Sequence, residues 1–246
     1  MQIDVSFGPE GLLPGDVSGR VVAVIDVLRA STSIAVALDN GARAIIPFGN
    51  SEEAVTRAKA FERSDVRLAG ERKSQPIPGF DLGNSPLQYT REAVEGKTIL
   101  MATTNGTGAV TATTGARDVI VSSYVNFSAS MSYLRAALRA GTDVVLLCAG
   151  QDRRFALEDA ACAGRFAYHI SKRLSGVVLN DGAQACILID KKYGDNLMKL
   201  FDASAHGRAL RDAGFGEDLT ACAAIDSHAV LPVYADRQIT RLGSDR

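Results

Sequence analysis

The sequence is short of the residues that build most zinc sites. It has three histidines, His169, His206 and His228, and its four cysteines, Cys148, Cys162, Cys186 and Cys222, never approach CxxC spacing. This argues against a cysteine-rich zinc centre and against a disulfide framework, and leaves inert thiols in a reducing cytosol as the expectation. No apolar run approaches the roughly 20 residues of a transmembrane helix. The opening Met1-Gln-Ile-Asp-Val-Ser carries a charge where a signal peptide needs an apolar stretch, so a cytoplasmic location with no membrane partner is expected. An excess charge of either sign is also missing. The 27 basic and 28 acidic side chains leave a net charge of −1, too little for the broad electrostatic attraction of a nucleic-acid binder.

The composition is that of a globular protein. Of 246 residues, 46% are hydrophobic and 22% charged, enough for a substantial core in one domain spanning 1–246. Apolar runs of strand length at 21–26, 42–48, 66–70, 98–103, 118–122 and 143–148 are rich in Val, Ile and Leu and mostly do not alternate with polar residues. Such strands are buried on both faces, as in a parallel sheet covered by helices. Segments 31–40, 51–63, 86–95, 106–114, 126–140 and 157–174 read as the intervening helices, with Ser51 as an N-cap ahead of Glu52 and Glu53, and Gly41 and Gly141 as C-terminal stops. Strand alternating with helix predicts an α/β layered fold. After Gly176 the rhythm changes to consecutive short helices at 180–193, 196–203, 206–213 and 217–224. Segments 230–234 and 238–242 then read as a closing hairpin or edge strands, with Pro232 favouring an edge. A subdivision near 176 would set this helical third apart.

Ligands of parallel α/β sheets bind beyond the carboxyl ends of the strands, so the residues delivered there matter most. The first strand delivers Asp26, Arg29, Ser31 and Thr32: a carboxylate for a hard cation or for nucleophilic attack, a forked cation, and hydroxyls at a helix start. The 98–103 strand delivers Thr103, Thr104, Asn105, Gly106 and Thr107, an anion cradle without the lysine of a P-loop. The 66–70 strand delivers Glu71, Arg72 and Lys73, followed by an irregular loop with Asp81. The 143–148 strand delivers Glu158 and Asp159 in the first turn of the next helix. Cys148 and Arg154 also fit the Cys-x5-Arg spacing of cysteine-dependent phosphatases. Each segment has a plainer reading too: an Asp26–Arg29 ion pair, helix caps, a solvated charged loop. Together, the acids Asp26, Glu71, Asp81, Glu158 and Asp159, the cations and the hydroxyls suit a phosphorylated substrate held through Mg²⁺, which takes a few carboxylates plus water and phosphate oxygens. A cysteine phosphatase at Cys148 and a non-catalytic protein that binds a phosphorylated metabolite remain the alternatives.

The motifs occur in one order: Asp26-Val-Leu-Arg-Ala-Ser-Thr, Gly70-Glu-Arg, Pro78-Gly-Phe-Asp-Leu-Gly-Asn-Ser-Pro86, Thr103-Thr-Asn-Gly-Thr107, Cys148-Ala-Gly, Phe155-x-x-Glu158-Asp159, Ser204-x-His206-Gly207-x-x-Leu210 and Gly214-Phe215. From about residue 3 to residue 242 the chain resembles the 2-phosphosulfolactate phosphatase family of coenzyme M biosynthesis. The resemblance implies a Mg²⁺-dependent phosphatase that releases sulfolactate and phosphate, a three-layer α/β/α architecture with a largely parallel sheet, and a homodimer. In that setting Asp26, Arg29, Glu158 and Asp159 are the expected catalytic residues. Ser31, Thr32, Arg72, Lys73, Thr103, Thr104, Asn105, Gly106 and Thr107 are expected to bind the small phosphorylated acid, and Asp26, Glu71, Asp81 and Glu158 to bind the metal.

Overall fold

The computed structural model describes residues 1–243. Its strands are β1 (Gln2–Ser6), β2 (Val21–Ile25), β3 (Ala44–Phe48), β4 (Val66–Arg72), β5 (Gln75–Pro76), β6 (Thr98–Ala102), β7 (Asp118–Ser122), β8 (Val144–Cys148), β9 (Val178–Leu179), β10 (Pro232–Ala235) and β11 (Gln238–Arg241). Its α-helices are α1 (Pro14–Val17), α2 (Ala30–Asp39), α3 (Ser51–Ala58), α4 (Arg91–Val94), α5 (Gly106–Thr111), α6 (Phe127–Arg139), α7 (Leu157–Ser171), α8 (Asp181–Tyr193), α9 (Leu197–Ala203), α10 (Ala205–Asp212) and α11 (Gly216–Cys222). The strands form one sheet in the order β5-β4-β6-β3-β11-β10-β7-β2-β8-β1-β9. Two parallel blocks, β4-β6-β3 and β7-β2-β8-β1-β9, are joined by the β10–β11 hairpin, which is antiparallel to its neighbour on each side.

Strand β2 shows why the layers form. All five of its residues are buried. Successive side chains point to opposite faces of a sheet, and the burial divides accordingly. Val21, Ala23 and Ile25 join a core with Leu134 of α6, Phe166 of α7 and Phe201 of α9, while Val22 and Val24 join another with Ile34 and Leu38 of α2 and Val110 of α5. The sheet therefore lies between two helical layers, giving the three-layer α/β/α arrangement. The helical C-terminal third packs into the same core as α6 and α7, through Leu200, Phe201, Leu210 and Leu219. Among the described residues no helix is long and apolar enough to cross a membrane.

The structure corrects the sequence reading in places. The β10–β11 hairpin is not at an edge but bridges β7 and β3 in the middle of the sheet. Pro232 fits there because it is the first residue of β10, and the ladder with β7 runs through Val233 and Tyr234, which keep their N–H groups. Strand β1 escapes the sequence reading because only Ile3 and Val5 are buried, between half-buried polar residues. The helix expected over 86–95 is a 3₁₀ turn, Pro86–Gln88, followed by the short α4. At α3 the cap is Asn50, one residue before Ser51, and its side chain accepts from the Glu53 N–H.

Helices α7 and α8 touch at Gly164, where a Cβ would lie 2.0 Å from the Cys186 carbonyl oxygen. Gly164→Ala should therefore separate the helices and cost about 1–3 kcal/mol, although alanine is the better helix former. Urea unfolding of the two proteins checks this; equal midpoints would show that the contact can relax.

Candidate active site

A small cleft, of about 40 Å³, opens where the carboxyl ends of β2, β4, β6 and β8 come together. These are the four strand ends that the sequence singles out. Asp26 and Arg29 leave β2 and line the cleft, although each is almost entirely buried. The Ala30 N–H donates to Asp26 Oδ1 at 3.2 Å, which fixes the carboxylate at the start of α2. Gly106 closes in on the other oxygen: a Cβ there would lie 2.6 Å from Asp26 Oδ2 and 2.5 Å from the Ala30 Cβ. Only glycine permits α5 to pack this tightly against the acid.

Ser31 and Thr32 do not reach the cleft. The Ser31 hydroxyl accepts from the Asp26 N–H at 2.9 Å, and the Thr32 hydroxyl donates to the Val27 carbonyl at 2.9 Å. Both brace the turn that presents Asp26. Thr103 and Thr107 act similarly on the next strand end. The Thr107 N–H donates to Thr103 Oγ1, and the Thr107 hydroxyl donates to the Thr103 carbonyl, both at 3.1 Å. Thr104 and Asn105 are the residues of this segment that line the cleft.

Glu71 lines the cleft, but its oxygens are engaged. It accepts from the Thr104 N–H at 2.6 Å, the Thr104 hydroxyl at 3.1 Å and the Ser74 N–H at 2.8 Å. It thereby clamps the β4–β5 hairpin to the end of β6. The hairpin turn is Lys73-Ser74, with φ of 50° and 66°, the left-handed pair of a type I′ turn formed here without glycine. Lys73 faces the cleft from this turn, whereas the Arg72 guanidinium folds back on the Glu71 carbonyl. Asp81 is a correction to the expected metal set. It pairs with Arg63 and accepts from the Leu68 N–H, so it anchors its loop to β4 and does not line the cleft.

Behind Asp26 the start of α7 buries Glu158 and Asp159. Asp159 accepts from the Val27 N–H at 2.8 Å and the Gly150 N–H at 3.1 Å, joining the ends of β2 and β8. Burial drives its pKa well above the usual range, and Asp26 and Glu158 add to the effect. Glu158 keeps one oxygen 3.3 Å from Nδ1 of His206, and its buried Oε2 has no partner. Burial also raises the Asp26 carboxyl to about 6, against the opposing pull of nearby His206 and the Ala30 N–H. For His206 burial works downward, but the hydrogen bond and charge of Glu158, with the charge of Asp26, outweigh it and leave its pKa raised.

Several contributors were not read from the sequence as site residues. His206 and Asn84 line the cleft, and Asn84 Oδ1 is buried without a partner. Arg29 Nη1 lies 2.6 Å from Asp218 Oδ2, Arg29 Nη2 donates to the Ser74 carbonyl at 3.0 Å, and the guanidinium carbon sits 4.4 Å from the centre of the Phe215 ring. His206, Asn84 and Phe215 all stand inside the ordered motifs, which was the available signal. Asp218 lies outside them, and nothing in its spacing marks it.

Among the described residues no three His, Cys, Asp or Glu side chains converge as a ready-made metal cage. Asp26 lines the cleft and Glu158, which does not, lies buried behind it with Oε2 unpartnered; these two carboxylates nevertheless fit Mg²⁺, which is commonly bound by one or two carboxylates together with waters and substrate phosphate. Cys148, by contrast, is the last residue of β8 and is packed in the core, and burial raises its thiol well above the ordinary range. Arg154 is exposed beyond the Gln151–Arg154 turn. A thiolate nucleophile is disfavoured here.

A family model described as 2-phosphosulpholactate phosphatase matches residues 8–237. A protein of Caldanaerobacter subterraneus subsp. tengcongensis is 39% identical over 217 residues, covering 88% of each chain. One of Symbiobacterium thermophilum is 38% identical, over 92% of this chain and 96% of its own. One of Clostridium beijerinckii is 34% identical, over 98% and 99%. All three bear the name "Probable 2-phosphosulfolactate phosphatase". With its motifs gathered around one cleft and a match along nearly its whole length, the chain belongs to the 2-phosphosulfolactate phosphatase family.

Proposed function

We propose that this chain hydrolyses a small phosphorylated acid, 2-phosphosulfolactate, to sulfolactate and phosphate with the help of Mg²⁺. The observation that carries the reading is the pairing, on one buried turn, of a carboxylate and a guanidinium that both face the cleft, Asp26 and Arg29. Acids alone would repel a phosphate. Arg29 supplies forked donors for its oxygens, and Asp26 and Glu158 are the residues to hold the metal. A bound Mg²⁺ would neutralise charge on the phosphoryl oxygens as the ester bond breaks. Thr104, Asn105 and Lys73 all line the cleft; in this reading the first two take the phosphate, and Lys73, on the β4–β5 turn, takes the carboxylate or sulfonate. His206 lines the cleft with Nδ1 toward Glu158, and in this reading it is the acid that would protonate the departing alkoxide.

A cytoplasmic homodimer belongs to the same proposal. The cytoplasmic part is supported by four buried, unpaired thiols and the dimer by the family resemblance.

A phosphate-release screen of phosphosulfolactate, phospholactate, phosphoglycerate and an aryl phosphate, with and without Mg²⁺, tests the reading. Phosphosulfolactate should be hydrolysed fastest and only with the metal. Asp26→Asn should lower turnover about a hundredfold or more while the circular dichroism spectrum stays unchanged; retained Mg²⁺-dependent turnover would remove Asp26 from the mechanism.

The reaction needs Asp26 ionised. Because its pKa is raised to about 6, kcat/KM should fall as the pH drops through that region. More Mg²⁺ should move the acid limb lower, since a cation favours the carboxylate. A profile flat down to pH 4 would contradict this.

Iodoacetamide distinguishes the cysteine mechanism. The native enzyme should keep full activity after treatment and lose it in excess EDTA, since all four thiols are buried. The reverse pattern would restore Cys148 as the nucleophile.

A further inference from the structure

The contact between Arg29 and Asp218 does more than neutralise a charge. Asp218 lies in the first turn of α11, in the helical C-terminal third, and does not line the cleft. Both of its oxygens are used: Oδ2 meets Arg29 Nη1 at 2.6 Å, and Oδ1 accepts from the Ser85 hydroxyl at 2.6 Å. Phe215, three residues earlier, lies against the guanidinium, and the Ser74 carbonyl takes the other terminal nitrogen. Two segments distant in sequence, the β4–β5 turn and the start of α11, thus meet on one side chain of the β2–α2 turn, and a third, the loop ending at Ser85, reaches it through Asp218. A free arginine samples many rotamers, and each one frozen on binding opposes affinity. Here the plane of the fork is set before any ligand arrives, while the same residue still borders the cleft. A purely stabilising ion pair would have no need to lie at the wall of the cleft.

We infer that Asp218, with Phe215 and Ser85 behind it, is a positioning residue for anion recognition: it holds the Arg29 guanidinium in the orientation that presents its remaining N–H donors to a phosphate oxygen. The inference rests on the reading that Arg29 grips the phosphate. It assigns the helical third a part in the site that goes beyond covering the sheet.

The test measures binding of inorganic phosphate by isothermal calorimetry, with Mg²⁺ present, on the full chain and on a double-mutant cycle of Arg29→Ala and Asp218→Asn. Steady-state KM and kcat on phosphosulfolactate accompany it. Arg29→Ala and Asp218→Asn should each weaken phosphate binding about tenfold or more, and the double variant should be within about twofold of Arg29→Ala alone, the signature of two residues acting through one contact. Asp218→Glu should recover part of the loss. If Arg29→Ala binds phosphate like the parent, the grip reading fails and the inference falls with it. If Arg29→Ala weakens binding but Asp218→Asn does not, or if the two losses multiply, the grip stands and the positioning role alone is overturned. Should Asp218→Asn fail to fold, Ser85→Ala and Phe215→Leu enter the same cycle and keep the ion pair. Each should weaken phosphate binding about threefold, an effect lost in the Arg29→Ala background, and binding equal to the parent in both would overturn the inference.

Discussion

The site depends on a buried ion pair. Arg29 and Asp218 have side chains only 2% and 3% exposed, in a setting where removing one partner typically costs about 3–5 kcal/mol because the other is left as an unpaired charge. The penalty makes the contact all or nothing, and several elements share it. The β2–α2 turn, the β4–β5 hairpin, the loop ending at Ser85 and the start of α11 each place a group on the pair. The cleft is therefore built across the chain, and its geometry is only as good as the docking of the C-terminal helices.

The other half of the electrostatics is an excess of buried acid. Asp26, Glu71, Glu158 and Asp159 are all at most 7% exposed, and each meets the difficulty differently. Glu71 and Asp159 accept backbone N–H groups and serve as structural clamps. Asp26 gives one oxygen to the Ala30 N–H and faces the cleft, its pKa pushed upward by burial as that of Asp159 is, and Glu158 leaves an oxygen with no partner. Unsatisfied buried polar atoms are uncommon in proteins, and a catalytic role or a bound ion is among the reasons for one. The division between clamps and open carboxylates separates the acids that shape the cleft from those free to do chemistry.

Much of this was legible in the sequence because burial on both faces leaves a simple mark. The apolar runs of β2, β3, β4, β6, β7 and β8 gave the strands, and with them the four ends that converge on the cleft. Which side chains turn inward was not legible. Ser31 and Thr32 look like phosphate ligands in one dimension, yet backbone groups nearby claim their hydroxyls. Asp81 sits in a motif but faces Arg63, which lies far from it in sequence. Asp218 carries no local signal at all, since its role comes from a partner 189 residues away. The hairpin misled for a related reason: proline forbids one hydrogen bond, not a central position, and a strand that begins with proline can still pair through its later residues.

That hairpin has a consequence for how the protein is made. Residues 232–241 lie between the two parallel blocks, so during synthesis β7 and β3 emerge long before the strands that will separate them. Until then each offers an open row of backbone donors and acceptors, the template on which sheet edges recruit other chains. Completion of the sheet therefore waits on residues 232–241: neither half acquires its final neighbour until the hairpin inserts between them.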